Sequence, residues 1–284
     1  MTAGILSAVD PMTVLWSALV LLALAVVFGV LLAVLGKKFA VKKDAREEEI
    51  RKHLPGANCG GCGYAGCDAL AAAMAEGKAG ANACPVMKPD ARKAVAELLG
   101  EEADGVPTVL VVACSGGNAA ADKYDYMGYG DCRSMELLGG GRKACPWGCL
   151  GMGSCADACP VHAAGVGDEG HAAIDREKCI GCGKCAAACP KKLIVRIPAD
   201  AAVYVACSNR LRGAKQVHEI CARGCIGCGL CARNCPSGAI EMKDNLPVID
   251  YAKCTRCGIC ADKCPAKCIK RLQPAAPHGD AAAQ

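Results

Sequence analysis

Cysteine is the residue that most constrains what this chain can fold into, because there are 25 cysteines among its 284 residues. Such a density indicates either a disulfide framework or a protein loaded with metal. Disulfide scaffolds are normally short secreted domains, whereas this chain is long and groups its cysteines in blocks. Hydrophobic residues make up 53% of the chain and aromatic residues 4%, which excludes a disordered protein and a large core built on rings. Metal sites are therefore the favoured organising element.

An uncharged apolar segment lies near the N-terminus and runs from Val14 to Gly36. At about 1.5 Å per residue it is long enough to cross a hydrocarbon core of about 30 Å. A cleaved signal peptide would have a positive start and a shorter apolar stretch, whereas here the lysines follow the segment. By the positive-inside rule we expect a single-pass protein of the cell inner (cytoplasmic) membrane, with its N-terminus outside and its cysteines on the cytoplasmic side. A buried core helix is the alternative.

Four cysteine blocks end in Cys-Pro, and three of them match the spacing C-x2-C-x2-C-x3-C-P. Their cysteines are Cys179, Cys182, Cys185 and Cys189; Cys225, Cys228, Cys231 and Cys235; and Cys254, Cys257, Cys260 and Cys264. The fourth block has a stretched spacing, C-x3-C-x5-C-x3-C-P, and consists of Cys145, Cys149, Cys155 and Cys159. This is the bacterial ferredoxin pattern for a [4Fe-4S] cluster. Zinc is the alternative for a single C-x2-C pair, but the repeated copies favour iron–sulfur.

The intervals between the blocks predict how they pair. The block at 179–189 follows the stretched block after 20 residues, and the last block follows its predecessor after 19, whereas 36 residues separate the two middle blocks. This spacing indicates two ferredoxin-like modules, the second with a short hairpin turning at Asp244-Asn245. In such modules the fourth cysteine usually reaches the neighbouring cluster. The expected ligand sets are Cys145, Cys149, Cys155 and Cys189; Cys159, Cys179, Cys182 and Cys185; Cys225, Cys228, Cys231 and Cys264; and Cys235, Cys254, Cys257 and Cys260.

A fifth block has the spacing C-x2-C-x4-C-x16-C and lies closer to the apolar segment. It consists of Cys59, Cys62, Cys67 and Cys84. A helical pattern over Asp68–Glu76 can fold back to deliver the last cysteine, and Ala45–Leu54 and Asp90–Leu99 also have helical patterns. We therefore expect a small helical domain with one further [4Fe-4S] cluster, for which zinc is the alternative.

Five cysteines remain outside these blocks. Cys268 is expected to be a packed core thiol. The other four belong to a second repeat, in which Thr108–Ser115 and Ala202–Ser208 each end in Ala-Cys-Ser and are followed by another cysteine. These four are Cys114, Cys132, Cys207 and Cys221. Either they bind one further metal centre or they are buried thiols at the end of a strand pair, and the sequence leaves both interpretations open.

The combination of motifs resembles one known family. A membrane helix followed by NCGGCGYAGC, then ACPWGCLGMGSC and CIGCGKC with CPKKLI, resembles the B subunit of the Rnf complex in its longer form. The resemblance implies a translocase, an ion-translocating ferredoxin:NAD⁺ oxidoreductase, in which soluble ferredoxin is the electron donor and this subunit relays electrons to other membrane and cytoplasmic subunits. A sister system uses a similar subunit to keep a redox-sensing transcription factor reduced, which is the alternative function.

The remaining side chains predict no catalytic site in this chain. No residues resemble a nucleophile with its base or a phosphate-binding loop, so the expected role is electron transfer alone. The net charge of +5 does not indicate nucleic acid binding, because each [4Fe-4S] cluster with four thiolates carries about −2. The transported ion, Na⁺ or H⁺, cannot be inferred, since the apolar segment contains no ionisable residue. A structural zinc-binding membrane adaptor is a third hypothesis.

The predicted architecture is an α+β fold with five [4Fe-4S] clusters and room for a sixth metal centre. One transmembrane helix is followed by a small helical [4Fe-4S] domain and two ferredoxin-like modules of two clusters each. The expected ranges are 1–36 for the anchor, 37–103 for the linker and helical domain, 104–200 for a strand segment and the first module, 201–272 for a strand segment and the second module, and 273–284 for a disordered tail.

Overall fold

A computed structural model of the chain describes residues 11–38, 45–102 and 107–272. The predicted disordered tail, 273–284, and the lysines Lys42 and Lys43 that follow the apolar segment lie outside the described residues. The chain divides into two compact units. The first, Met1–Ala45, contains the apolar segment, and the second, Arg46–Gln284, contains every cysteine.

The first unit contains the helix α1, Pro11–Lys38. Within it Val14–Leu35 has a mean hydropathy of 3.2, and none of its residues is buried. Leucine, valine, tryptophan and phenylalanine side chains are exposed around the whole helix. A helix that is apolar on all sides is stable when it is surrounded by other apolar material, such as lipid. Within the described ranges, α1 is the one helix long and apolar enough to cross a membrane, as the sequence predicted.

The second unit begins with a small helical domain. Its elements are α2 (Ala45–His53), α3 (Cys67–Ala75), a 3₁₀ turn (Ala81–Ala83) and α4 (Pro89–Leu99). The three helices confirm the three helical patterns in the sequence. Ile50, Leu70, Met74 and Val95 are at most 1% exposed and form the centre of this domain. The core also contains two of the predicted ligands, so the helices that bury these apolar side chains position cysteines as well.

Eight short strands form four antiparallel pairs in the described part of the chain. The strands are β1 (Thr108–Val112), β2 (Ala164–Val166), β3 (Ala172–Ile174), β4 (Ile194–Pro198), β5 (Val203–Val205), β6 (Ile240–Lys243), β7 (Leu246–Ile249) and β8 (Ile269–Arg271). The pairs are β1 with β4, β2 with β3, β5 with β8, and β6 with β7. Each half of this region therefore has an outer pair and an inner hairpin, as expected for a duplicated ferredoxin-like module. The boundaries 104–200 and 201–272 stay a prediction.

The hairpin predicted at Asp244-Asn245 is confirmed. Strands β6 and β7 pair in register from Ile240 opposite Ile249 to Lys243 opposite Leu246. The two turn residues have φ angles of 46° and 67°. Positive φ at both central residues is characteristic of the tight turn that suits the twist of paired strands, and Asn and Asp tolerate it better than most residues.

Short helices present the third cysteine of each ferredoxin block. They are α6 (Ser154–Asp157), α7 (Lys184–Ala188), α9 (Leu230–Arg233) and α10 (Ile259–Asp262). Each follows a glycine with a left-handed conformation, which glycine adopts without strain. The third cysteine of each block lies inside its helix and is buried. The remaining helices are α5 (Cys132–Leu137) and α8 (Ala214–Ile220).

The core of the helical domain gives a test of its packing. Leu70 is 1% exposed, whereas Leu98 on α4 is 40% exposed. We expect Leu70→Ala to destabilise the domain by about 2 to 5 kcal/mol because it leaves a cavity in the core. Hydrogen exchange of α3 amides in the full chain should accelerate more than tenfold. The control Leu98→Ala should leave exchange nearly unchanged, and equal effects of the two substitutions would contradict this packing.

Candidate metal centres

Four cysteines surround a pocket in the first ferredoxin-like module. They are Cys132, Cys149, Cys155 and Cys189. The rest of the lining is largely apolar and includes Val112, Leu150 and Leu193. Burial raises the pKa of the Cys149 thiol to about 11, so that a free thiolate is disfavoured there. A bound metal offsets this cost, because it stabilises deprotonated thiolates.

The structure differs here from the ligand set expected from spacing, since Cys132 rather than Cys145 lies at this pocket. The backbone N–H of Cys132 donates to Ser154 Oγ at 2.8 Å, which ties the start of α5 to the start of α6. Burial raises the pKa of Cys155, and the adjacent thiols of Cys132 and Cys189 act in the same direction. Cys145 has Cys114 and Cys221 as its thiol neighbours instead.

A register shift in the stretched block explains the difference. When Cys149 is aligned with Cys225, Met152 stands at the position of Cys228, and the block reads C-x2-M-x2-C-x3-C-P. The block therefore lacks its second cysteine, and Cys132 arrives from outside it at the start of α5. The spacing alone did not place Cys132 at this pocket, although alignment with the other blocks contains the signal.

The second group in the first module brings together Cys159, Cys179, Cys182 and Cys185. Burial raises the pKa of Cys185 to about 11, and the thiols of the other three act in the same direction. The backbone N–H of Ala163 donates to Cys159 Sγ at 3.2 Å. The fourth cysteine of the stretched block thus lies with the first three cysteines of the next block.

The second module has a pocket with the same kind of lining. Its cysteines include Cys225, Cys228, Cys231 and Cys264, three from one block and one from the next. Cys268 also lines this pocket and is 1% exposed within the core. Its Sγ lies 3.6 Å from Cys264 Sγ, so it is a packed thiol that touches a predicted ligand.

The last group in the second module contains Cys254, Cys257 and Cys260. Burial raises the pKa of Cys260, and the thiols of Cys254 and Cys257 act in the same direction. Cys235, the fourth predicted member, follows α9 as Cys159 follows α6.

In the helical domain the fifth block brings a buried thiol beside two others. Cys84 is 4% exposed, and its pKa is raised by burial and further by Cys62 and Cys67. The backbone N–H of Cys67 donates to Asn58 Oδ1 at 2.9 Å, which fixes the start of α3. The loop that contains the first two cysteines is packed tightly, because a Cβ on Gly61 would collide with the backbone carbonyl of Cys182. The helical domain and the first module therefore meet through their cysteine loops.

The chemistry of the donor sets fits iron–sulfur clusters, because the ligating side chains that line the two pockets are all cysteines. Across residues 11–38, 45–102 and 107–272, no three cysteine, histidine or acidic side chains converge closely enough to hold one metal ion. A zinc ion needs each thiolate sulfur about 2.3 Å away, which crowds the ligands together. A [4Fe-4S] cluster spreads its thiolates over four irons and requires a wider group. Backbone N–H groups that donate to Cys149 Sγ at 3.4 Å and Cys189 Sγ at 3.5 Å are the contacts that stabilise thiolate ligands.

A buried lysine beside the first pocket was not anticipated from sequence. The side chain of Lys191 is 8% exposed, and its Nζ lies 2.7 Å from Glu136 Oε2. The same Nζ donates to the carbonyls of Gly140 at 2.8 Å and Pro146 at 2.7 Å. Lys191 also lines the pocket, so that one positive charge is fixed beside a group of thiols. Its place two residues after Cys189 is the sequence signal for this position.

Comparison with protein-family models agrees with this division of the chain. An Fe-S cluster model matches residues 54–86, which include the fifth block. One model of a 4Fe-4S dicluster domain matches residues 145–193 and again 224–268, the two predicted modules. A second 4Fe-4S dicluster model matches residues 172–242, which pairs the two middle blocks instead. Both dicluster models support several [4Fe-4S] clusters.

Three curated relatives, each the B subunit of a translocating complex, are similar over most of the chain. The relative from the Na⁺-translocating ferredoxin:NAD⁺ oxidoreductase complex of Acetobacterium woodii is 43% identical, over 86% of this chain and 73% of the relative. The relative from the ion-translocating oxidoreductase complex of Methanosarcina acetivorans is 39% identical, over 83% and 89%. The relative from the proton-translocating ferredoxin:NAD⁺ oxidoreductase complex of Clostridium ljungdahlii is 41% identical, over 85% and 86%.

These similarities confirm the resemblance seen in the cysteine motifs. They extend over both the helical domain and the ferredoxin-like modules, because they cover more than four fifths of the chain. The apolar helix α1 is consistent with membrane association. The chain therefore belongs to the B-subunit family of Rnf-type ion-translocating oxidoreductases and is an iron–sulfur electron-transfer subunit of an ion-translocating complex.

Proposed function

We propose that this chain is the membrane-anchored relay that takes electrons from reduced soluble ferredoxin and passes them, one at a time, to membrane partner subunits, coupled to Na⁺ or H⁺ transport. The observation that carries the proposal is the joint presence of the apolar helix α1 and several groups of buried cysteines in one chain. The names of the three relatives, all translocating complexes, favour this function over reduction of a transcription factor. When bound, [4Fe-4S] clusters supply one-electron chemistry.

Five groups of cysteines would hold five [4Fe-4S] clusters. The proposed sets are Cys59, Cys62, Cys67 and Cys84; Cys132, Cys149, Cys155 and Cys189; Cys159, Cys179, Cys182 and Cys185; Cys225, Cys228, Cys231 and Cys264; and Cys235, Cys254, Cys257 and Cys260. Compared with the sets expected from spacing, Cys132 replaces Cys145. We expect no substrate-converting site, so the protein contributes burial, hydrogen bonds to sulfur and fixed charges, which tune reduction potential.

The packing of the ligand loops also determines how closely neighbouring groups of cysteines approach each other. Gly61 lies against the backbone of Cys182, where a Cβ would collide with the carbonyl, and a Cβ on Gly181 would come within 3.9 Å of the carbonyl of Pro85, directly after Cys84. Ligand loops of the helical domain and the first module are therefore in van der Waals contact. Such an approach favours electron exchange between the two cysteine groups, and it depends on glycine at position 61, because a side chain there would push the backbone of Cys182 away.

The proposed orientation places the second unit on the cytoplasmic side, with the N-terminus outside. Exposed basic residues near the ligands then face soluble partners. Lys184, Arg233 and Lys263 are exposed, and each lies between two cysteines of its block. A set of basic side chains attracts an acidic ferredoxin and accelerates its encounter, an effect that falls with ionic strength.

Vesicles that contain the whole complex would test the proposed function. We expect reduced ferredoxin to bleach the visible absorption of this subunit and to drive ion uptake with NAD⁺ as acceptor. Reduction of the subunit without any ion uptake in sealed vesicles would contradict the relay role and favour the regulator-reducing alternative. A colourless subunit containing zinc would contradict both.

The Cys132 assignment can be tested by loss and rescue. Cys132→Ala should remove about four irons per chain, because one [4Fe-4S] cluster loses a ligand. Adding Met152→Cys restores the regular block spacing and should return the lost iron and its electron paramagnetic resonance (EPR) signal on reduction. If Cys132→Ala retains full iron content, or if Met152→Cys fails to restore it, the assignment is wrong.

The contact between the cysteine loops can be tested with matched glycine substitutions. Gly61→Ala should push the loop at Gly61 away from Cys182, because the added methyl group meets rigid backbone. We expect faster hydrogen exchange in both loops and weaker magnetic interaction between the two reduced clusters. The control Gly130→Ala meets no heavy atom within 4 Å and should change neither measurement. An unchanged magnetic interaction in Gly61→Ala would contradict the proposed approach.

A further inference from the structure

Each of the two modules has an additional cysteine shortly before the aligned part of its first ferredoxin block. Cys145 stands four residues before Cys149, and Cys221 stands four residues before Cys225. Both positions form the same turn: the N–H of Gly148 donates to the Cys145 carbonyl at 3.0 Å, and the equivalent bond to the Cys221 carbonyl is 3.1 Å. Cys145 is therefore the structural counterpart of Cys221 and lies outside the four-ligand pattern of its own block.

A second pair of equivalent cysteines comes from the two Ala-Cys-Ser segments. The backbone N–H of Cys149 donates to Cys114 Sγ at 3.4 Å. The backbone N–H of Cys225 donates to Cys207 Sγ at 3.3 Å, the same contact in the other module. Cys114 and Cys207 thus have matching positions against matching blocks.

Reciprocal hydrogen bonds join these two segments across the boundary of the modules. Ser115 Oγ donates to the carbonyl of Ala206 at 3.2 Å, and Ser208 Oγ donates to the carbonyl of Ala113 at 2.9 Å. Each serine follows one of the cysteines, and each carbonyl precedes the other cysteine. This exchange is what an approximate two-fold relation between the modules produces, and it places the two segments side by side.

The other two cysteines meet at the same boundary. The N–H of Ala121 donates to the carbonyl of Ile220 at 2.9 Å, and the carbonyl of Ala121 accepts from the N–H of Ala144 at 2.8 Å. Cys221 follows Ile220 and Cys145 follows Ala144 in the sequence. The backbone of Ala121 therefore binds the residue before Cys221 on one side and the residue before Cys145 on the other.

The two pairs of cysteines converge near Gly116. A Cβ at this glycine would lie 3.3 Å from Cys221 Sγ and 3.6 Å from Cys114 Sγ. Cys114, Cys145 and Cys221 are at most 9% exposed. Burial raises the pKa of Cys145 to about 11, with Cys114 and Cys221 acting in the same direction. Burial raises the pKa of Cys207 to about 11 as well, and Cys114 is again among its thiol neighbours.

Fixed positive charge accompanies this group of thiols. Lys143 is 2% exposed, and its Nζ donates to the carbonyl of Ala120 at 3.2 Å and lies 3.0 Å from Asp122 Oδ1. Arg223 Nη1 donates to the carbonyl of Ser115 at 3.4 Å. Lys143 is paired with Asp122, and the partly exposed Arg223 is paired with Glu169 at 2.8 Å. Both cations would in addition attract the negative charge of a cluster with four thiolates.

We propose that Cys114, Cys145, Cys207 and Cys221 form a sixth [4Fe-4S] site at the boundary between the two ferredoxin-like modules. Two ligands come from each module, in equivalent positions. The site differs from the further centre considered from sequence, since Cys145 takes the place of Cys132. The proposal rests on the electron-relay function and deepens it, because a centre shared by both modules connects their cluster pairs.

Iron content and single substitutions in the full-length chain, purified anaerobically in detergent, test this proposal. The wild-type chain should contain six clusters, about 24 irons. Cys114→Ala and Cys145→Ala should each remove about one sixth of the iron and the same EPR signal on reduction. Cys132→Ala should remove a different signal. Met152→Cys should rescue Cys132→Ala but not Cys145→Ala.

Three results would overturn the sixth site. The first is a wild-type chain with about 20 irons and an intact fold, and the second is one zinc ion per chain in place of the additional iron. The third is loss of the same signal in Cys132→Ala and Cys145→Ala. Wild-type iron content decides the matter if a substituted chain fails to fold. Failure of the proposed function is distinguishable, because a six-cluster chain that ferredoxin cannot reduce would leave this site intact and refute the relay role.

Discussion

The fold depends on bringing several cysteine thiols together in buried positions. Burial raises the pKa of Cys149, Cys185 and Cys231, and it therefore disfavours the thiolate form of these side chains. Metal binding reverses this preference, so that folding and cluster binding stabilise each other. This dependence accounts for short strands and four-residue helices: they position ligands around an inorganic group and need not bury a large apolar core. It also accounts for a chain with so few aromatic residues.

Duplication of one module explains most of the second unit. Both halves contain the same elements in the same order: an outer strand pair, an inner hairpin and short helices that each follow a left-handed glycine. The exception is Met152, which stands where the second module has Cys228. A residue from the separate helix α5 lies at the corresponding pocket, so the first module makes its ligand set from a longer stretch of chain than the second.

Local patterns predicted those parts of the structure that local interactions determine. The uncharged apolar run identified α1, helical patterns identified α2, α3 and α4, and the Asp244-Asn245 pair identified the β6–β7 turn. In each case the signal lies in residues that are close together in the sequence. Spacing grouped Cys159 with the following block because adjacent blocks form a compact pair. The position of Cys132 could not be read in this way, since a hydrogen bond to Ser154, 22 residues away, places it. The tight contact at Gly61 is equally a product of tertiary packing.

Charge placement links the cysteine groups to the boundary between the modules. Lys191 lies beside the pocket of Cys149, and Lys143 lies beside Cys145 and Cys221, and both lysine side chains are almost fully buried. Lys191 is held by two backbone carbonyls and one carboxylate, and Lys143 by one carbonyl and one carboxylate, so both charges are fixed in place. A fixed cation stabilises added negative charge more than a mobile surface lysine does, because it is screened less by solvent. Because each lysine is itself paired with a carboxylate, it acts on the nearby thiols as the positive end of a fixed ion pair and not as an unbalanced charge.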